Sequence, residues 1–221
     1  MTSKITSDNI SPEAERDCQL CPRLAAYRDQ NRAEHPDWFN GAVASFGPPT
    51  ARLLIVGLAP GVTGANRTGR PFTGDYAGDL LYATLAKFSF SHGDYGQHAN
   101  DGLQMTDSMI SNAVRCVPPQ NKPTSLEINQ CRPFLQARIA ALPNLKAILT
   151  LGKIAHDSTI KALGGRLKDY SFAHGAVHQL GGYHIVNSYH CSRYNTNTGR
   201  LTTPMFEDVF AAVRALLPPL A

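Results

Sequence analysis

Residues 52–57, Arg52-Leu53-Leu54-Ile55-Val56-Gly57, form a short run of consecutive apolar positions that ends in glycine. A run too short for a helix and apolar at successive positions fits a strand buried on both faces of a parallel sheet. Three further strand candidates follow at 109–115, 147–152 and 184–188, separated by stretches long enough to hold crossover helices. The helical candidates are 78–87, 125–142, 153–163 and 206–217. A further helix is expected over 11–28, with Ser11 as cap, Pro12 at the first helical position, and Glu13 and Glu15 in the first turn. On such a helix Cys18 and Cys21 would lie three apart, on neighbouring faces. Alternating strands and helices predict an α/β fold, a three-layer α/β/α sandwich around a central four-stranded, mostly parallel sheet. Ligands in such sheets gather at the carboxyl ends of the strands. Gly57, Cys116 and His190 each follow a predicted strand end, so the segments they begin should meet at one edge.

With 221 residues, 43% of them hydrophobic, the chain suffices for one domain, 1–221, with a core of its own. A net charge of +4 permits a polyanionic partner without demanding one. No run of about 18 apolar residues is present to span a bilayer, and the polar start from Met1 to Asp8 lacks a signal peptide's apolar stretch. A cytoplasmic location is therefore expected. In that reducing compartment the five cysteines read as metal ligands or redox groups rather than disulfides.

Three groups of residues carry chemistry. The first is the glycine-rich stretch 57–75, with glycines at 57, 61, 64, 69 and 74. Its backbone amides can approach a ligand closely, its arginines can grip phosphate, Phe72 offers a flat face and Asp75 a carboxylate. By residue type alone, an irregular surface loop fits equally well. The second is Cys18-x-x-Cys21 with Cys116 and Cys131, a four-thiolate set suited to a [4Fe-4S] cluster or to zinc, which spacing does not separate. The third is the polar segment 187–202 with His190 at a strand end, where a histidine is usually structural. Asn112, near the end of the second strand, reads by itself as a satisfied buried amide. His156, His174 and His178 show no ligand pattern, and the last two are expected to face solvent.

Together these segments resemble a known family. Gly57-Leu58-Ala59-Pro60-Gly61 with Gly64-Ala65-Asn66-Arg67-Thr68-Gly69-Arg70-Pro71-Phe72-Thr73-Gly74-Asp75 resembles the first motif of UDGb-type, fifth-family, iron-sulfur uracil-DNA glycosylases. Residues 114–124, followed by Glu127 and Cys131, resemble the segment with that family's third and fourth cluster ligands, and 187–202 resembles its second active-site motif, although Cys191 stands where proline is usual. A proline there would stiffen the turn. The resemblance implies a [4Fe-4S] cluster on Cys18, Cys21, Cys116 and Cys131, tying the N-terminal helix to the segment after the second strand. It also implies hydrolysis of the N-glycosidic bond of uracil in DNA, with hypoxanthine as a further substrate, at the start of base excision repair.

Cleavage of that bond develops positive charge on the sugar and negative charge on the base. Asp75, the carboxylate of the matching segments, is expected to orient or deprotonate water, and neutral His190 to hydrogen-bond the leaving base. Gly57, Leu58, Ala59 and Gly61 would help hold the water, Phe72 would stack on the flipped base, and Asn112 would read its edge. Arg193, Asn195, Arg200 and Leu201 are expected to contact DNA, the last two filling the vacated space. A monomer is expected, with damaged DNA as its partner. Two other readings compete: a nucleotide-binding hydrolase, although no Gly-x-x-x-x-Gly-Lys-Ser/Thr motif is present, and a non-enzymatic iron-sulfur module that binds nucleic acid or senses redox state.

Overall fold

A computed structural model of the chain describes residues 11–217; the polar start at Met1 to Asp8 lies outside the described residues. In chain order the elements are α1 (Pro22–Glu34), β1 (Leu53–Gly57), α2 (Ala65–Thr68), α3 (Tyr76–Lys87), β2 (Ser91–His92), β3 (Gln104–Met105), β4 (Ser108–Asn112), α4 (Ser125–Ala140), β5 (Ala147–Leu151), α5 (Lys153–Ala162), β6 (Val177–Leu180), β7 (Tyr183–Ser188), α6 (Arg193–Asn197) and α7 (Thr203–Leu216). Every residue of β1, β4 and β5 is buried, as consecutive apolar positions require of a strand covered on both faces.

The main sheet runs β4-β1-β5-β7-β6. Its first four strands are parallel, and β6 pairs antiparallel with β7. Leu53 and Ile55 of β1, Leu149 of β5 and Val186 of β7 pack with α3 and α7 on one face. Leu54 and Val56 of β1, Ile148 of β5 and Ile185 of β7 pack with α4 and α5 on the other. The three-layer sandwich is thus as expected, with five strands rather than four. The extra strand alternates exposed and half-buried residues, so it leaves no apolar run. A two-residue turn, Gly181-Gly182, with φ of 62° and 85°, folds it back onto β7.

The N-terminal helix departs further from expectation. It starts at Pro22, not Ser11, and continues to Glu34, beyond residue 28. Pro22 is the physical reason: proline lacks an N–H and clashes with the preceding turn, so it suits the first helical position and breaks an interior. Cys18 consequently lies in the turns before α1, and Cys21 sits at its N-cap rather than on a helix face. The second predicted strand is also shorter than 109–115, ending at Asn112, where the chain turns toward Cys116. No helix among the described residues is long and apolar enough to cross a membrane.

Candidate active site

Gly57, the last residue of β1, lies in register with Asn112, the last of β4. A Cβ on Gly57 would sit 2.4 Å from Asn112 Oδ1 and 2.6 Å from the Phe72 ring. Glycine at 57 therefore lets an amide and an aromatic ring converge over the strand end. Phe72 has a left-handed backbone, φ 53°, which a residue with a Cβ holds only when its surroundings over-determine it. The Tyr95 hydroxyl donates to its carbonyl at 3.1 Å and accepts from the Gly74 N–H at 3.1 Å. Arg70, expected to grip phosphate, is instead buried: it makes a two-pronged ion pair with Asp101 at 2.7 and 2.6 Å and donates to Thr73 Oγ1 at 2.7 Å. Its guanidinium also lies 5.5 Å from the centroid of the Tyr82 ring and 5.8 Å from that of Tyr95. Arg70 braces the loop that presents Phe72.

Asp75 is the N-cap of α3, its Oδ1 accepting from the Gly78 N–H at 3.1 Å. Its Oδ2 faces the first loop, where a Cβ on Gly64 would come within 2.3 Å and one on Gly61 within 3.2 Å. Burial raises the Asp75 pKa above the ordinary carboxylate value, opposed by the amides of Gly78 and Ala77. A carboxylate made more basic, yet kept on a helix N-terminus, suits the activation of water.

His190 follows β7, half-buried, with its ring centroid 5.8 Å from that of Phe72 and the planes 27° apart. Burial pushes its pKa down to about 4, so the imidazole is neutral at pH 7. The Asn195 side chain donates to the His190 carbonyl at 2.8 Å. Cys191, fully buried, donates from Sγ to the Ala77 carbonyl at 3.4 Å. That contact ties the His190 turn to the first turn of α3, beside Asp75.

These residues surround one cavity of about 380 Å³. Leu58, Ala59, Gly61, Phe72, Asp75, Asn112 and His190 line it, and Gly57 lies against two of them, Asn112 and Phe72. Asn112 is 2% exposed and its Oδ1 has no hydrogen-bond partner among the described residues, so its amide is not the satisfied one of the bland reading. Tyr76 and Asn121 also line the cavity and were not anticipated. Asn121 adopts φ 57°, and its only signal is a left-handed-tolerant residue within a proline-rich turn.

The candidate DNA-contacting residues separate. Arg193 is exposed at the cavity rim with its guanidinium 5.2 Å from the Tyr76 ring, and Arg200 is exposed with its guanidinium 4.6 Å from the Tyr189 ring. Asn195 uses its side-chain amide on the His190 carbonyl. Leu201 is fully buried in the core, which removes it as a wedge. It precedes Thr202, the N-cap of α7, and shares its cluster with Phe206, the pairing of a hydrophobic staple. The protruding apolar side chain of this loop is Tyr194, 73% exposed.

Cys18, Cys21, Cys116 and Cys131 line a second cavity, walled by Leu24, Val114 and Phe134 among others, and all are free thiols. Burial, then the neighbouring sulfurs, push Cys21 and Cys116 up to about 12 as thiols. No group of three or more His, Cys, Asp or Glu among the described residues is arranged around a single metal ion. The donor set nonetheless suits an iron-sulfur cluster: four sulfurs, apolar walls, the Arg115 N–H donating to Cys131 Sγ at 3.2 Å, and buried guanidinium N–H groups of Arg28 and Arg115 left without partners. The histidines form no ligand set. His156 is buried between Asn187 Oδ1 and the Tyr170 carbonyl, each at 2.8 Å. His174 and His178 are half-buried rather than solvent-facing, and both hydrogen-bond backbone groups.

A mostly parallel sheet covered on both faces thus places a carboxylate, a neutral imidazole, an unpartnered amide and an aromatic ring around one cavity at its carboxyl edge, a site fit to hold a flat heterocycle beside a carboxylate. Residues 44–214 match the family described as the uracil DNA glycosylase superfamily, and the chain belongs to it. It is 42% identical to the type-5 uracil-DNA glycosylase of Thermus thermophilus, over 90% of this chain and 93% of that protein. It is 39% identical to that of Mycobacterium leprae, over 90% and 91%, and 36% identical to that of Pyrobaculum aerophilum, over 90% and 88%.

Proposed function

We propose that this chain removes uracil from DNA by hydrolysing the bond between the base and its deoxyribose, without cutting the strand. The observation that carries this reading is the meeting of Phe72 and Asp75 from the stretch after β1, Asn112 at the end of β4 and His190 after β7 around one cavity. A base inside a duplex is inaccessible, so the nucleotide must rotate out, at a cost of a few kcal/mol, into a pocket of this kind. There the Phe72 ring stacks on the base and the Asn112 amide, otherwise unpartnered, pairs with its edge. Burial keeps the His190 imidazole neutral, and it donates to the base oxygen on which negative charge develops. Asp75, whose Oδ2 packs against Gly61 and Gly64, orients or deprotonates the attacking water, and its charge favours the cationic sugar. Arg193 at the rim and the exposed Arg200 beside Tyr189 hold phosphate, and Tyr194 takes the wedge position assigned from the sequence to Leu201.

The cavity of about 380 Å³ leaves room for a purine, which supports hypoxanthine as a second substrate. A [4Fe-4S] cluster on Cys18, Cys21, Cys116 and Cys131 supplies no chemistry to the bond cleavage; it ties the turn before α1 to the segment after β4 and to α4. The protein acts as a monomer in the cytoplasm, where its free thiols stay reduced. Incubation with a uracil-containing duplex, without added metal, followed by alkali tests the reading. Scission at the uracil position is expected. An intact strand, or hydrolysis of free nucleotides instead, would overturn it.

A further inference from the structure

Behind the four cysteines lies a poorly matched cation. Arg28 of α1 is 1% exposed. Its Nη1 donates to the Cys18 carbonyl at 2.9 Å and lies 4.0 Å from Cys116 Sγ. Its Nε and Nη2 have no hydrogen-bond partner among the described residues. Asp17, 3.8 Å from Nε, is exposed and also bound by Arg32. Arg115 repeats the pattern: it is 1% exposed, its Nε is unpartnered, and its carboxylate partner Glu13 is shared with Arg138.

A guanidinium buried among neutral thiols, with two donor groups unpaired, is strongly unfavourable. The same guanidinium beside an anionic group is favourable, because charge-assisted hydrogen bonds gain strength in a low dielectric. Four thiolates on a [4Fe-4S] cluster in its oxidised form carry two net negative charges, and each carboxylate near the two arginines is already divided between two cations. Positive charge is thus in excess on the side of the cavity where that group would sit.

We infer that Arg28 is a donor to the sulfur atoms of the iron-sulfur group proposed above, an inference that rests on that reading, and that it retains the group and raises its midpoint potential. It does so from outside the ligand set, as a positioning residue. Hydrogen bonds and charge near the sulfurs are among the levers that set such potentials. Partners of this kind change metal affinity by about 10- to 100-fold when removed.

The test compares anaerobically reconstituted wild-type protein with Arg28→Met and Arg28→Lys by iron and sulfide content, midpoint potential, and the rate at which a chelator bleaches the visible absorbance. Arg28→Met is expected to bleach about tenfold or more faster than wild type and to show a more negative midpoint. Arg28→Lys keeps the charge and the apolar stem, so it tests the inference even where the methionine variant does not fold. Its midpoint is expected to stay near that of wild type, and its bleaching to be faster, because the fork of donors is gone. A methionine variant with unchanged midpoint and bleaching rate would overturn the inference, as would a lysine variant that bleaches at the wild-type rate. Wild-type protein that binds zinc but neither iron nor sulfide would instead overturn the cofactor reading beneath it.

Discussion

His190 ties function to a measurable pH dependence of stability. Its ordinary pKa of 6.5 falls to about 4 in the fold. Between these values the unfolded chain takes up a proton that the folded chain refuses, so the fold is fully favoured above pH 6.5 and loses stability as pH falls toward 4. Chemical unfolding at pH 7 and pH 5 should show a smaller loss for His190→Gln than for wild type; equal losses would mean that the imidazole is not desolvated. Leu201 sits on the other side of the division between chemistry and packing. Leu201→Ala should cost about 2–5 kcal/mol in urea unfolding, with excision per folded molecule little changed. The motif around it resembled a DNA-contacting loop, and residue type does not say which way a side chain points. The position before an N-cap threonine was the available clue, because staples are built there. Asp75 and Asn112 were singled out through the resemblance of their segments; from residue type alone Asn112 read as a satisfied amide, because sequence does not show that its Oδ1 finds no partner.

The glycine-rich stretch after β1 works as one element whose parts need each other. Gly57 leaves room for Asn112 and Phe72, and Gly64 for Asp75 at the far end of the same stretch, where a methyl group at 64 would meet Asp75 Oδ2 at 2.3 Å. Gly64→Ala should therefore depress excision by shifting the carboxylate, with far-UV circular dichroism unchanged; a fully active variant would place the catalytic oxygen elsewhere. The Arg70–Asp101 pair fixes the same element from behind, with side chains only 5% and 2% exposed. Asp101→Asn leaves a buried guanidinium underpaired and should cost about 3–5 kcal/mol in urea. That brace was illegible in the sequence because the partners lie 31 residues apart and an arginine in a glycine-rich loop looks like a phosphate ligand. The start of α1 was misplaced for a local reason, Pro22, and β6 was missed because an edge strand with no buried face lacks an apolar run.

At the scale of the molecule, the parallel sheet decides that β1, β4 and β7 end on one edge, so residues from three distant motifs face one cavity. That convergence was readable from the order of apolar runs alone. The sequence did not reveal that Asn121, between two of the cysteines, also lines the cavity. Asn112 and Asn121 line that cavity, while Cys116 and Cys131 line the cysteine site. Stripping iron with a chelator should therefore open residues 11–34 to proteolysis and slow excision through a displaced Asn121, both read on the same sample; a stripped protein that is protease-resistant and fully active would leave the cysteine site without a structural role. The central claim is that Asp75 activates the water. Asparagine caps a helix about as well as aspartate, so Asp75→Asn should keep the wild-type melting temperature. In single-turnover excision of uracil from a duplex it should be slower by about 10²- to 10⁴-fold. An Asp75→Asn protein that excises uracil at the wild-type rate would contradict the account.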